Sequence, residues 1–564
     1  MAVHSTLEGE VSHDASLQRL NVERICQVIT LLVGARSAFS GRNLPLGADG
    51  IAYMDLARAY ARYDWHTAVN GYWSPFYAWL LAIGMRFLHP GIRSEFVMAR
   101  TLNFILFAAA LYAFSRFWRS VADWSLRSSE GETTIPAVAR WVWIVLGYWL
   151  FVTSFVWYVD NVNPDILVAT IVLAIAARLF EFNDGRPVGA AGYAGLGLLL
   201  AAGYYAKTIM LYFALFILGA MVLQGFRSGT LRKPIVAALV FVALVSPYVA
   251  ILSRTLGHLT AGDSGRLTYA WFVNANESKA WLTELDTAGP KFYPGPVIFE
   301  APRVFFLPSI AGVTYAPWYD PSRFDKLSHP ILNLGDQLRR LAVNLQSLRE
   351  FFLAQGAVLT VPLLILVWYT PKASLRHFDA TWFCTLPAAA VFGLYLLIIL
   401  VPRYVLGFSL VLWGAAWASI FVPPGLELLA RRAMLAGILV VAAYTMPGLL
   451  HFLVSRPAES TRGDMAIAEA ISRYGIAPGD PLASIGEGRK AYWAYLAKVS
   501  VVAEIWSADT DQFWSARPEV QQAALRSMAH SGAKAAVWRK DGDQPCPPQW
   551  LSLPENSGCM ILLP

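Results

Sequence analysis

The sequence predicts a polytopic α-helical membrane protein with about eleven transmembrane helices, juxtamembrane helices in the first outer loop and a small C-terminal α/β domain. Three observations predict it. Only 15% of the 564 residues are charged and 56% are hydrophobic, against about a quarter charged in a soluble globular chain. Apolar runs of roughly 20 residues recur, each long enough to cross the hydrocarbon core. The basic residues between these runs gather on alternate loops. Mean hydropathy is +0.46. The formal net charge of +7 therefore reads as a topology signal and not as a nucleic-acid footprint.

Residues 1–21 are polar and read as a cytoplasmic N-terminus without a cleavable signal peptide. Residues 22–254 form a transmembrane module, interrupted by a first outer loop at 40–94. Its spans are expected near 22–39, 95–115, 138–157, 165–182, 188–205, 208–225 and 234–254. Residues 255–351 form a long extracytoplasmic loop rich in Pro, Tyr and Trp. The spans near 352–369, 378–400, 404–421 and 433–453 then make up a second membrane region, 352–455. Arg116, Arg119, Arg127, Arg178, Arg232, Lys233, Lys372, Arg376, Arg431 and Arg432 all fall on one side of this arrangement. The positive-inside rule makes that side cytoplasmic, with the N-terminus in and the C-terminus out, as in a bacterial inner membrane. The apolar stretch 74–88 would invert every later loop if it crossed, so it is expected to lie in the outer interface.

Residues 456–564 read as a soluble extracytoplasmic domain. "DMAIAEAISRYGIAPGD" and "PEVQQAALRSMAHSG" have helical signals, and "PLASIG", "SVVAEIW" and "AKAAVWR" read as strands. Cys546 and Cys559 lie in this tail. Outside the cytoplasm, a disulfide between them would contribute roughly 3 kcal/mol in the chain-entropy model.

The chemistry is expected on the nearly uncharged outer side. "GADGIAYMDLARAYARYDW", 47–65, carries Asp49, Asp55 and Asp64. Asp160 and Asp165 flank "NVNP", Lys207 ends "AAGYYAK" and Arg403 sits in "VPRYV". Returning spans can gather these into one cluster. There a carboxylate could take a proton from an attacking hydroxyl and cations could hold an anionic leaving group. Each residue also has a structural reading. Asp49 could cap a helix, Asp165 could complement a helix dipole, and Lys207 and Arg403 could be snorkelling anchors. Asp55 and Asp64 read as solvated-face or helix-ending residues, and Arg58 with Arg62 as a headgroup-facing stripe.

These motifs resemble those of the type C (GT-C) membrane glycosyltransferases, in particular the group with protein O-mannosyltransferases and lipid A aminoarabinose transferases. "ADGIAYMDLARAYARYDW" looks like their first outer loop, with Asp49 in place of the catalytic Asp and Tyr53 in place of the following Tyr. "YWSPFYAWLLAIG" is similar to the second juxtamembrane helix, "NVNPDILVATIVLAI" to the second acidic site and "GLLLAAGYYAKT" to the segment ending in a phosphate-contacting Lys. "VPRYVLGFSLVL" resembles the late Arg-Tyr element, Arg403 and Tyr404. "APRVFFLPSIAGVTYAPWYDPSRF" resembles an outer-loop stretch of bacterial relatives. Gly50 stands where the aminoarabinose-type enzymes usually carry a second acid.

The resemblance implies a polyprenyl-phosphate sugar as donor and a glycan, lipid or protein hydroxyl as acceptor. It implies Asp49 and Asp165 as catalytic residues, with Lys207, Arg403, Tyr53, Asp160, Arg266 and Tyr404 binding substrate or lipid phosphate, and no required metal. A lipid or polysaccharide transporter is the alternative. It would call for charges or broken helices at mid-membrane and for internal repeats.

Overall fold

The lengths and apolar content of the helices decide what they can span. The structure, a computed structural model, describes residues 21–39, 46–129, 131–138, 140–183, 188–274, 295–324, 329–354, 367–455, 461–540 and 545–564. Among these, four helices are long and apolar enough to cross a membrane: Ser94–Ser128, Arg140–Tyr158, Arg232–Leu256 and Glu427–Phe452. Counting Pro371–Asp379 and Trp382–Ile398, which meet at 81°, as one broken span makes five.

The expected count of eleven is not reached by length and composition. Helices do form near the other expected spans, but Ala190–Ala206, Trp382–Ile398 and Pro402–Ala418 have only 17 residues each. Such a helix rises about 25 Å, short of the ~30 Å core. Asp165–Phe182 carries Asp165, Arg178 and Glu181 within its 18 residues. The span expected at 352–369 lies largely outside the described residues. Pro75–Leu88 is a separate helix of 14 residues, too short to cross, and its Tyr77 ring meets Tyr53 of the Ala48–Ala61 helix edge-on at 5.3 Å.

One close approach fixes the centre of the bundle. A Cβ on Gly407 would lie 3.0 Å from Ala169 Cα and 3.0 Å from Val172 Cβ. Only glycine lets the Pro402–Ala418 helix come this near to Asp165–Phe182 without displacing it.

The tail folds around a seven-stranded sheet in the order β1-β2-β4-β3-β5-β7-β6. Strands β3 (Pro481–Ile485), β4 (Ser500–Ile505) and β5 (Ala535–Arg539) are the three the sequence predicts, and they run parallel. The predicted helices are Arg462–Arg473 and Pro518–His530. Strands β6 (Leu551–Ser552) and β7 (Gly558–Leu562) close one edge, where Cys546 and Cys559 form the expected disulfide. The other edge is not from the tail. Strands β1 (Val297–Glu300) and β2 (Arg303–Phe306) are a hairpin of the long 255–351 loop, and β2 pairs antiparallel with β4.

The same loop then runs between the membrane helices and the tail as a buried strap, 313–323. The backbone N–H of Thr314 donates to Asp55 Oδ2 at 2.7 Å, and the Tyr315 hydroxyl donates to Glu504 at 2.7 Å. Asn70 Nδ2 donates to Tyr319 O, and Trp73 Nε1 donates to Trp318 O at 3.0 Å. Beneath the strap, Arg58 pairs with Asp55 at 3.2 Å and with Glu95 at 3.4 Å. The guanidinium sits 4.5 Å from the Tyr495 ring, and the Tyr495 hydroxyl donates to Glu95.

Asp55 and Arg58 are therefore not a solvated or headgroup-facing stripe. They are 2% and 8% exposed, because strap and tail together cover the face that the helical pattern alone leaves open to water. Asp64 is exposed but starts a helix where it was expected to end one, accepting the Thr67 N–H as the cap of Trp65–Ala68, and Arg62 is exposed.

Candidate functional site

Four chain segments deliver charged side chains to one point. Gly47 caps the Ala48–Ala61 helix without a side-chain bond, and Asp49 follows in its first turn. Asp165 is the first residue of its helix. It stands behind Pro164, and Asn163 Oδ1 accepts its backbone N–H at 3.1 Å. Lys207 leaves the C-terminus of Ala190–Ala206 in extended conformation. Arg403 follows Pro402 in the first turn of its helix. In each case a helix end aims the residue, and backbone beyond the end is irregular enough to turn it inward.

The geometry is a chain of alternating charge. Lys207 Nζ donates to Asp165 Oδ1 at 2.8 Å. Arg403 Nε lies 3.0 Å from Asp165 Oδ2, and Arg403 Nη2 donates to Asp49 Oδ2 at 3.1 Å. Asp165 is buried, with 2% of its side chain exposed, whereas Asp49, Arg403 and Lys207 keep 30%, 25% and 24%. The site is thus closed at Asp165 and open at Asp49. Tyr404 lies under both cations: Lys207 Nζ is 3.5 Å from its ring centroid and the Arg403 guanidinium 5.3 Å. Burial works against the Lys207 charge, but Asp165 beside it prevails and raises the ammonium pKa above its ordinary value.

Tyr53 backs this chain. It is buried at 2% exposure and packs on Trp73 at 5.1 Å. Burial, then the Asp165 and Asp49 carboxylates, push its phenol well above the ordinary range.

The structural readings of these residues narrow accordingly. The Asp49 carboxylate meets Arg403 and does not cap its helix. Asp165 occupies a dipole-complementing position and also holds both cations. Lys207 and Arg403 turn toward carboxylates, which a snorkelling anchor would not do.

Two expected members stand apart. Asp160 lies in the turn before the Asp165 helix, its pKa raised by burial and opposed by Arg100 of the Ile92–Ser128 helix. Arg266 pairs with Asp263 at 3.2 Å, in a group where Asp263 also accepts from Thr260 at 2.8 Å. Among the described residues no group of three or more His, Cys, Asp or Glu is placed to hold a metal ion.

A small cavity includes Thr208, the residue after Lys207, in its lining. It is lined by Trp73, Ser74, Tyr204, Thr208 and Tyr248, with Ser74 Oγ and Thr208 Oγ1 3.3 Å apart. Sequence reasoning missed the aromatic wall beside it, where Tyr72, Trp73, Trp271 and Trp318 contact one another with centroids 4.7 to 6.2 Å apart. The density of Trp and Tyr in both outer loops was its only signal.

No protein-family model and no curated protein matches the sequence. Solved structures do resemble the fold at low identity. ArnT from Cupriavidus metallidurans in the apo state aligns over 98% of this chain and 98% of its own, at 11% identity and TM-score 0.48. The same protein bound to undecaprenyl phosphate aligns over 97% and 98%, at 13% identity and TM-score 0.39. The Archaeoglobus fulgidus oligosaccharyltransferase in complex with zinc and sulfate aligns over 91% of this chain and 68% of its own, at 12% identity and TM-score 0.46. These are likenesses of architecture, and the functional assignments rest on the residues themselves.

Proposed function

We propose that the chain is a membrane glycosyltransferase. It moves a hexosyl or pentosyl group from a polyprenyl-phosphate donor to an acceptor hydroxyl on a protein, lipid or surface glycan, at the outer face of the cytoplasmic membrane. The observation that carries this reading is the continuous array Asp49–Arg403–Asp165–Lys207, with Asp165 buried within it and Asp49, Arg403 and Lys207 partly exposed. The motif resemblance and the lipid phosphates named for solved structures of similar fold, undecaprenyl phosphate and dolichol-phosphate, agree with it.

The reaction is a single displacement with inversion. Asp49, the half-open carboxylate, takes the proton of the acceptor hydroxyl as its oxygen bonds to the anomeric carbon. The bond from that carbon to the phosphate oxygen breaks, and both of its electrons leave with the phosphate. Lys207 and Arg403 hold the charge that develops there. Asp165 keeps the two cations apart and aimed, and orients the sugar or acceptor. Tyr53 and Tyr404 shape the floor and exclude water. No metal enters the scheme.

Asp49→Asn tests the base. The purified variant, offered a panel of polyprenyl-phosphate sugars with acceptor, is expected to insert normally and bind the lipid but release no polyprenyl monophosphate. Full release by Asp49→Asn would remove Asp49 from the role. An unchanged glycome in a deletion strain of an expressing host would instead favour transport.

A further inference from the structure

The Trp382–Ile398 helix ends against a polar face belonging to another element. Three successive carbonyls at its end accept hydrogen bonds from side chains of the Leu334–Ala354 helix. Asn344 Nδ2 donates to Leu396 O at 2.8 Å, Gln337 Nε2 to Leu397 O at 2.6 Å and Arg340 Nε to Ile398 O at 2.9 Å. Asn344 Oδ1 also accepts the backbone N–H of Leu400 at 3.3 Å. Between these bonds the chain is extended, with Ile399 at φ −154°, ψ 115° and Val401 at φ −114°, ψ 128°. Pro402 then opens the next helix, and Arg403 follows.

A helix end leaves four carbonyls without intrahelical partners. In apolar surroundings each costs several kcal/mol unless satisfied. Continuing the helix would satisfy them, and would carry Arg403 round the helix axis by about 100° per residue, away from its carboxylates. The polar face removes that pressure by supplying other donors. On this helix Leu334, Leu338 and Leu345 point outward at 74%, 56% and 47% exposure, while Asn344 is 1% exposed. Of the three donors, Asn344 bonds both sides of the break.

We propose that Asn344 is a positioning residue of the site, holding the break between Leu396 and Leu400 that presents Arg403 to Asp49 and Asp165. Asn344 acts through Arg403 and contacts no reacting atom. The inference rests on Arg403 as a phosphate-holding group.

The test uses the full chain in lipid nanodiscs with undecaprenyl phosphate as probe. Affinity is measured for the wild type, Asn344→Leu, Arg403→Gln and the double variant. Asn344→Leu is expected to weaken binding about tenfold, the value of one buried hydrogen bond. The double variant is expected to be no weaker than Arg403→Gln, because both changes remove the same contact. Wild-type affinity in Asn344→Leu, or losses that multiply, would overturn the proposal.

A wild type that does not bind the probe rejects the phosphate-holding reading itself. The positioning role is then judged by deuterium uptake. Asn344→Leu is expected to raise uptake at 399–404 but not along the rest of the Pro402–Ala418 helix, and unchanged uptake at 399–404 rejects it. If Asn344→Leu fails to insert, Asn344→Asp, which keeps the acceptor for Leu400 and loses the donor for Leu396, replaces it under the same criteria.

Discussion

Lys207 and Asp165 form the shortest ion pair of the site, 2.8 Å between Nζ and Oδ1, with the carboxylate buried and the ammonium open on one side. The acid is thus shared with Arg403 and cannot serve as a freely solvated base, which separates its role from that of Asp49. Asp165→Asn leaves two cations facing Asp49 alone. Breaking such a pair from one side is expected to cost about 3–5 kcal/mol of stability. It also makes the array net positive, so an anionic lipid should bind more tightly while transfer is lost. Thermal unfolding and the Kd for a polyprenyl monophosphate check both, and weaker lipid binding contradicts the electrostatic account.

Gly407 sits one helical turn beyond Arg403, and Ala169 one turn beyond Asp165. A Cβ on Gly407 would lie 3.0 Å from Ala169 Cα, so its absence lets the two helices, and with them the two charges, come together. Gly407→Ala is expected to destabilise by about 1–3 kcal/mol, as overpacking does, and to lower the transfer rate more than Asn or Gln changes elsewhere on the same helix. A variant with reduced stability and unchanged turnover would show that the spacing is structural only.

The Tyr495 hydroxyl reaches Glu95 across most of the chain's length, joining the tail to the membrane helices. Tyr495→Phe removes a hydrogen bond to a charged group, expected to cost roughly 1.5–3 kcal/mol. Limited proteolysis should then release the tail faster from Tyr495→Phe than from the wild type. Equal rates would mean that the strap alone holds it.

Glu504 is fully buried, and burial lifts its pKa from 4.5 to about 7, against the opposing bonds from Tyr315 and the Gly488 N–H. The folded state therefore keeps a proton that the unfolded chain releases. Stability from this group is complete below about pH 4.5 and is lost as pH rises to about 7. Relative to Glu504→Gln, the wild type is expected to lose thermal stability between about pH 4.5 and pH 7. A pH-independent difference between the two contradicts the raised pKa.

How much was legible in the sequence follows from range. Helix Asp165–Phe182, the short helix Pro75–Leu88, strands β3, β4 and β5, and the Cys546–Cys559 bridge are signalled by local pattern, and each forms at the residues expected. Asp49, Asp165, Lys207 and Arg403 were visible because charge is rare in such a chain, although their pairing was not. Asp55 and Arg58 were misjudged because their partners lie far along the chain, at Thr314 and Tyr495. A helical pattern marks which face is polar. It does not say whether water or another polar segment covers that face. Asn344 escaped for the same reason, as a polar residue on a helix whose leucines face outward.

The shared sheet and the strap also impose an order in time. Strand β2 pairs with β4, and Tyr495 seals the junction above Arg58. A ribosome delivers the first outer loop early and these partners only near the end of synthesis. Until Tyr495 and β4 are made, the face of the helix bearing Asp55 and Arg58 lacks the cover that the tail provides. Completion of the tail is then what closes this face, and a nascent molecule stopped before Tyr495 would leave Arg58 without the ring that covers it.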